Sequence, residues 1–221
     1  MRRLLRENGL SIALLVLFLF FMAGQTLTGL REYNEELLER GERAVALAPY
    51  LATGHFWEAT AENWESEFLQ MAAYIVLTIF LFQRGSSESK DPDKREPADR
   101  DPRRAAGKDG APGPVRRGGW TLRLYENSLS LVFMILFLLS ITVHAIGGAA
   151  AYSEERVAQG ELPVAALEYV QTARFWFESF QNWQSEFLSL AAMVILSVFL
   201  RQRGSPESKP VDAPHRETGG G

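Results

Sequence analysis

The chain has 221 residues, 47% of them hydrophobic, with 23 Lys and Arg against 27 Asp and Glu and a formal net charge of −4. It contains no cysteine, which excludes disulfides, thiolate metal sites, iron–sulfur clusters, a cysteine nucleophile and a lipid-bearing cysteine anchor. Four apolar stretches alternate with strongly polar ones, so the averaged composition conceals a segregation that excludes an ordinary soluble domain.

Residues 1–8 are basic, and residues 9–30 carry no charge. That run is long enough to cross a hydrocarbon core of about 30 Å. A signal peptide is the rival reading. Against it, no small-x-small site closes the run, and a matching run lies mid-chain, so a permanent first span is expected. Residues 31–55 form an acidic connector, with a short helix expected near Glu35 and a break at Gly41. A second span is expected at about 64–83, bounded by Arg84, with Glu67 one turn inside the outer boundary. Residues 85–119 are rich in Pro, Gly and charge with almost no large apolar residue, which predicts a disordered linker. Residues 127–150 give a third span, 152–174 a second acidic connector, and 183–201 a fourth span with Glu186 one turn inside. Residues 204–221 predict a disordered tail.

The two halves align without a gap. Phe56-Trp57 and Asn63-Trp64-Glu65-Ser66-Glu67-Phe68-Leu69 return as Phe175-Trp176 and Asn182-Trp183-Gln184-Ser185-Glu186-Phe187-Leu188. Gln83-Arg84-Gly85-Ser86 returns as Gln202-Arg203-Gly204-Ser205. Polar and apolar positions match alike, which points to tandem duplication. The expected architecture is therefore an all-α membrane protein: four transmembrane helices as two parallel hairpin repeats, 1–84 and 120–203, with short extracytoplasmic helices. About eighteen of the 23 Lys and Arg lie in the amino terminus, linker and tail. The positive-inside rule places those segments, and so both termini, in the cytoplasm of a plasma (inner) membrane protein.

Thr60, Asn63, Glu67 and Gln70 are spaced by three or four and share a helix face, as do Ser179, Asn182, Glu186 and Ser189. Counting inward along the odd spans brings Gln25 and His144 to a similar depth. Gln25, Glu67, His144 and Glu186, with Asn63 and Asn182, thus form a candidate polar intramembrane layer. It either binds a proton or cation or joins helices by hydrogen bonds. Trp57, Trp64, Trp176 and Trp183 fit an interfacial aromatic belt better than a ligand cage. The linker arginines, among them Arg103, Arg104, Arg116 and Arg117, are interspersed with acids and lack aromatic neighbours, which fits a solvated tether near the lipid surface rather than nucleic-acid binding. His55, His144 and His215 have no zinc-site spacing, and no phosphate loop, dinucleotide fingerprint or nucleophile elbow occurs. No enzyme activity, metal or cofactor is expected.

The motif formed by Phe175, Trp176, Asn182, Trp183, Ser185, Glu186 and Phe187, partly copied at Phe56, Trp57, Asn63, Trp64, Ser66, Glu67 and Phe68, resembles a family of small bacterial integral membrane proteins known as a domain of unknown function. The first copy departs from the second at Glu58 and Ala61, where the second has Phe177 and Phe180. The resemblance implies membrane placement and no particular activity. The expected role is structural or partner-binding, with the bilayer and a second copy or another membrane protein as partners. The alternative is a small ion- or proton-coupled transporter using the Glu/His layer.

Overall fold

The computed structural model describes residues 2–219. Among them every regular element is a helix: α1 (Arg2–Glu39), α2 (Leu47–Tyr50), α3 (Gly54–Phe80), two short 3-10 turns η1 (Pro97–Asp99) and η2 (Pro102–Ala105), α4 (Gly113–Arg117), α5 (Gly119–Glu126), α6 (Ser128–Ala158), α7 (Ala166–Tyr169) and α8 (Ala173–Phe199). Three of these, α1, α6 and α8, are long and apolar enough to cross a membrane. Where four spans are expected, α3 is the exception. It matches α8 in length, at 27 residues, but its first half carries Glu58, Glu62, Glu65 and Glu67, and those charges remove it from the apolar class.

The long helices begin and end for local reasons. Asn8 leaves the helical region at φ −129° and ψ 15°, and its side-chain amide donates to the Leu4 carbonyl at 3.3 Å. Asn127 does the same between α5 and α6, at φ −113° and ψ 7°, donating to the Arg123 carbonyl at 2.8 Å. Each Asn offers its own amide in place of the helical ladder, which bends the entry into the apolar run. At the other end, Gly41 and Gly160 adopt φ of +76° and +80°. The residue after each glycine donates back to a helix carbonyl, Glu42 to Leu37 and Glu161 to Arg156. This left-handed closure is open to glycine at no steric cost, so the expected break at Gly41 is found there, two residues past the end of α1.

The molecule divides into two units. The first comprises Met1–Ala61 and Thr142–Phe175. Its core joins Tyr33, Leu37, Tyr50 and Phe56, and Tyr169, Phe175 and His144 of the same unit are fully buried. The two connectors are built alike. Asn34 exchanges two hydrogen bonds with the Val45 backbone, and Ser153 does so with Val164. Tyr50 is packed so close to Gly29, and Tyr169 to Gly148, that a Cβ on either glycine would collide with the ring or its hydroxyl. Tyr33 donates to Glu154 at 3.1 Å and Tyr169 to Glu58 at 3.0 Å, so each connector is tied to a residue of the other half of the sequence.

The second unit comprises Glu62–Ile141 and Trp176–Gly221. The repeated Gln-Arg-Gly-Ser segment closes both α3 and α8 by one hydrogen-bond pattern. The Ser89 hydroxyl accepts from the Gln83 N–H at 2.9 Å and the Ser208 hydroxyl from the Gln202 N–H at 2.9 Å. The Ser86 and Ser205 hydroxyls accept from the Glu88 and Glu207 N–H groups. Where the linker and tail are expected as disorder, the described residues hold short turns and local bonds. Arg84 pairs with Asp93, Lys90 with Asp99 and Lys94 with Asp91. In the tail, the buried Lys209 ammonium donates to the carbonyls of Pro214, His215 and Glu217. Alternating acids and bases close short-range pairs without any apolar core, and prolines at the starts of η1 and η2 fix φ in advance.

Candidate functional site

The chemistry-bearing residues of the second unit gather where α3 and α8 meet. Glu65 is fully buried, and its carboxylate accepts a hydrogen bond from the Trp183 indole N–H at 3.1 Å. One turn further along α3, the Gln70 amide donates to the Glu186 carbonyl at 2.8 Å and to the Ser189 hydroxyl at 3.3 Å. Toward the amino-terminal end of the pair, a carboxylate oxygen of Glu62 lies within 4.8 Å of one from Glu178. The neighbouring Ser179 hydroxyl is buried and has no hydrogen-bond partner among the described residues. These bonds form a polar seam down two adjacent helices.

The expected layer is only partly assembled. Asn63 and Glu67 are exposed, while Thr60, Glu65, Ser66 and Gln70 are buried. The buried face is therefore rotated from the expected stripe: Thr60 and Gln70 lie on it, and Asn63 and Glu67 do not. Glu186 is half-buried and takes part through its backbone carbonyl. Asn182 turns back to donate to the Glu178 carbonyl of its own helix at 3.2 Å. The residues missed were Glu62, Glu65 and Glu178. Ala61 and Ala72, at spacings of four and seven around Glu65, are almost fully buried. Small residues at that spacing mark the face that approaches another helix, and they were the available signal.

In the first unit, Gln25 donates to the Thr60 hydroxyl at 3.2 Å. His144 is fully buried, stacks on Phe175 with ring centroids 4.8 Å apart, and meets the edge of Tyr169. In the cluster around Tyr33 and Phe56, the Tyr50 hydroxyl contacts His55 Nδ1 at 3.2 Å. Burial, and after it the negative charge of Glu32, push the Tyr50 phenol above its ordinary value of 10.0, so it stays a neutral hydrogen-bonding group through the physiological range.

The four tryptophans of the expected belt differ in their settings. Trp57 and Trp176 are exposed, Trp64 is half-buried, and Trp183 is drawn into the seam by its bond to Glu65.

One family model matches the chain, over residues 1–220, and its description is Domain of unknown function (DUF6766). No curated protein and no solved structure matches.

Proposed function

The chain belongs to the DUF6766 family, and from its geometry we propose a non-enzymatic, multi-pass protein of the plasma membrane whose α3 crosses the bilayer together with α1, α6 and α8. The observation that carries this reading is the polar seam. Of the polar groups that α3 carries into its apolar half, the buried Glu65 and Gln70 are hydrogen-bonded to α8, so these two face protein rather than lipid, while the exposed Glu67 lies on the opposite side of the seam. A helix can carry ionisable residues through a membrane when they are satisfied in this way. The matching hydrogen bonds of the two connectors and of the two Gln-Arg-Gly-Ser turns support an origin by duplication of one hairpin. The excess of basic residues in the amino terminus, linker and tail supports a cytoplasmic location for all three.

The chain has no cysteine, so single cysteines report topology without background. Arg43→Cys and Glu161→Cys are expected to react with a membrane-impermeant maleimide on intact cells, and Lys108→Cys only after permeabilisation. Equal labelling of positions 43 and 108 on intact cells means that α3 does not cross.

A second reading, proton or cation coupling, is favoured by the closeness of Glu62 and Glu178. A proton or a cation held between two carboxylates at that distance would relieve their mutual repulsion. In liposomes under a pH or cation gradient, the wild type is then expected to pass protons or cations, and the Glu62→Gln, Glu178→Gln double variant to lose most of that flux. A wild type that is tight across several cations and pH values sinks this reading and leaves the seam as a structural joint.

A further inference from the structure

We propose that the basic cavity of the linker, between η1 and η2, is a binding site for a phosphate-bearing anion. The cavity has a volume of about 720 Å³, and its cationic lining is Arg95, Arg100, Arg104 and Lys108. What distinguishes it from an ordinary solvated face is how its charges are used. The carboxylates on its wall are committed to the protein itself. Asp99 accepts from the Lys90 ammonium at 2.6 Å and from the Glu96 N–H at 3.2 Å. Glu96 accepts from the Asp91 N–H at 2.9 Å, and Asp101 from the Arg103 N–H at 3.0 Å. The Lys90 hydrogen bond holds the Asp99 carboxyl below its ordinary value, so this acid remains an ionised partner of Lys90. Among the described residues, the four lining cations form no ion pair and no side-chain hydrogen bond. Three guanidinium groups and an ammonium around one concavity match the several oxygens of a phosphate, which arginine holds by paired N–H donors. Pro97 and Pro102 open η1 and η2 and stiffen the wall before any ligand arrives.

The surroundings favour a lipid headgroup as the source of the phosphate, a preference that rests on the membrane reading above. η2 packs against α4, and α4 against α5. α5 ends one residue before the candidate span α6. Its Leu122 is buried, whereas Trp120 and Leu124 are exposed, and the Arg123 guanidinium lies 5.3 Å from the Trp120 ring centroid. A short helix with an exposed indole and a basic flank beside a span sits at headgroup level. The cavity is therefore joined, through α4, to an element at the lipid surface, where basic side chains meet anionic phosphate at high local concentration.

The test uses the full chain in two preparations. In phosphatidylcholine discs with or without phosphatidic acid, retained lipid is identified by native mass spectrometry. In neutral detergent, inorganic pyrophosphate is titrated by calorimetry. The wild type is compared with Arg95→Gln, Arg100→Gln, Arg104→Gln, Lys108→Gln combined, and with a charge-matched control, Arg43→Gln, Arg117→Gln, Arg203→Gln, Arg216→Gln. All four cavity side chains are exposed, so both variants are expected to keep the wild-type helix content by circular dichroism. The expected result is selective retention of phosphatidic acid by the wild type and the control, with a loss of about tenfold or more in the cavity variant. Pyrophosphate binding with the same pattern, but no lipid selectivity, keeps the site and assigns it to a soluble phosphate. Equal losses in cavity variant and control, or no binding of either probe, overturn the proposal. A chain that enters no disc defeats the membrane reading instead, and the pyrophosphate titration still decides the site.

Discussion

Gly54→Ala and Gly147→Ala are each expected to lower the thermal midpoint of the detergent-solubilised protein, while Gly24→Ala leaves it unchanged or raises it. The three substitutions add the same methyl group to very different surroundings. A Cβ on Gly54 would come within 2.5 Å of both the Ala151 nitrogen and the Gly147 carbonyl oxygen, and one on Gly147 within 2.8 Å of the Glu58 nitrogen. Those atoms are backbone and cannot swing aside, so α3 and α6 must separate to admit the methyl. Overpacking of this kind costs about 1–3 kcal/mol. At about 2–4 °C per kcal/mol for a chain of this size, the fall is about 2–12 °C. Gly24 has nothing within 4 Å of an added Cβ, so the gain in helix propensity, up to about 1 kcal/mol, is unopposed there. For Gly147 that gain works against the clash, which makes Gly54 the cleaner of the two. A midpoint unaffected by Gly54→Ala contradicts the close approach of these helices in the first unit.

Trp183→Phe is expected to destabilise the second unit by about 1–3 kcal/mol, the cost of removing one donor from a buried carboxylate. The phenyl ring fills most of the indole's space but returns no N–H to the buried Glu65 carboxylate. Glu65→Leu alone strands the indole N–H in the opposite sense. The informative quantity is the double variant. When both partners are made apolar, neither is left unsatisfied by loss of the other, so Glu65→Leu with Trp183→Phe should lose less than the sum of the single losses. Thermal unfolding of all four proteins closes the cycle. Strict additivity shows that the two side chains do not interact.

The helical class and the presence of helices long and apolar enough to cross a membrane were legible in the residues alone. Those properties rest on apolar run length, on glycine and asparagine punctuation and on spacing along one chain, all of which are local. The start of α6 and the break at Gly41 fall close to where composition and turn chemistry place them, whereas α8 begins at Ala173, ten residues before the expected span. The linker shows the limit of that logic. Its lack of apolar residues rules out a core, but the side-chain pairings Lys90–Asp99 and Arg84–Asp93 depend on backbone turns that composition does not specify.

The buried face of α3 was not legible in the residues of α3 alone. Asn63 and Glu67 look as suitable for a polar layer as Glu65 and Ser66, because neighbouring positions differ by only about 100° around a helix and all four are polar. The choice is made by a partner. Trp183 and the Glu186 carbonyl stand where Glu65 and Gln70 can reach them, leaving Glu67 outside. His144 follows the same rule. Its sequence neighbourhood marks it as a polar residue in a span, but its ring stacking on Phe175 comes from a residue 31 positions away. Helix periodicity assigns each side chain a direction relative to its own axis. What lies in that direction is set by how separate helices meet, and that is a property of packing rather than of any one segment.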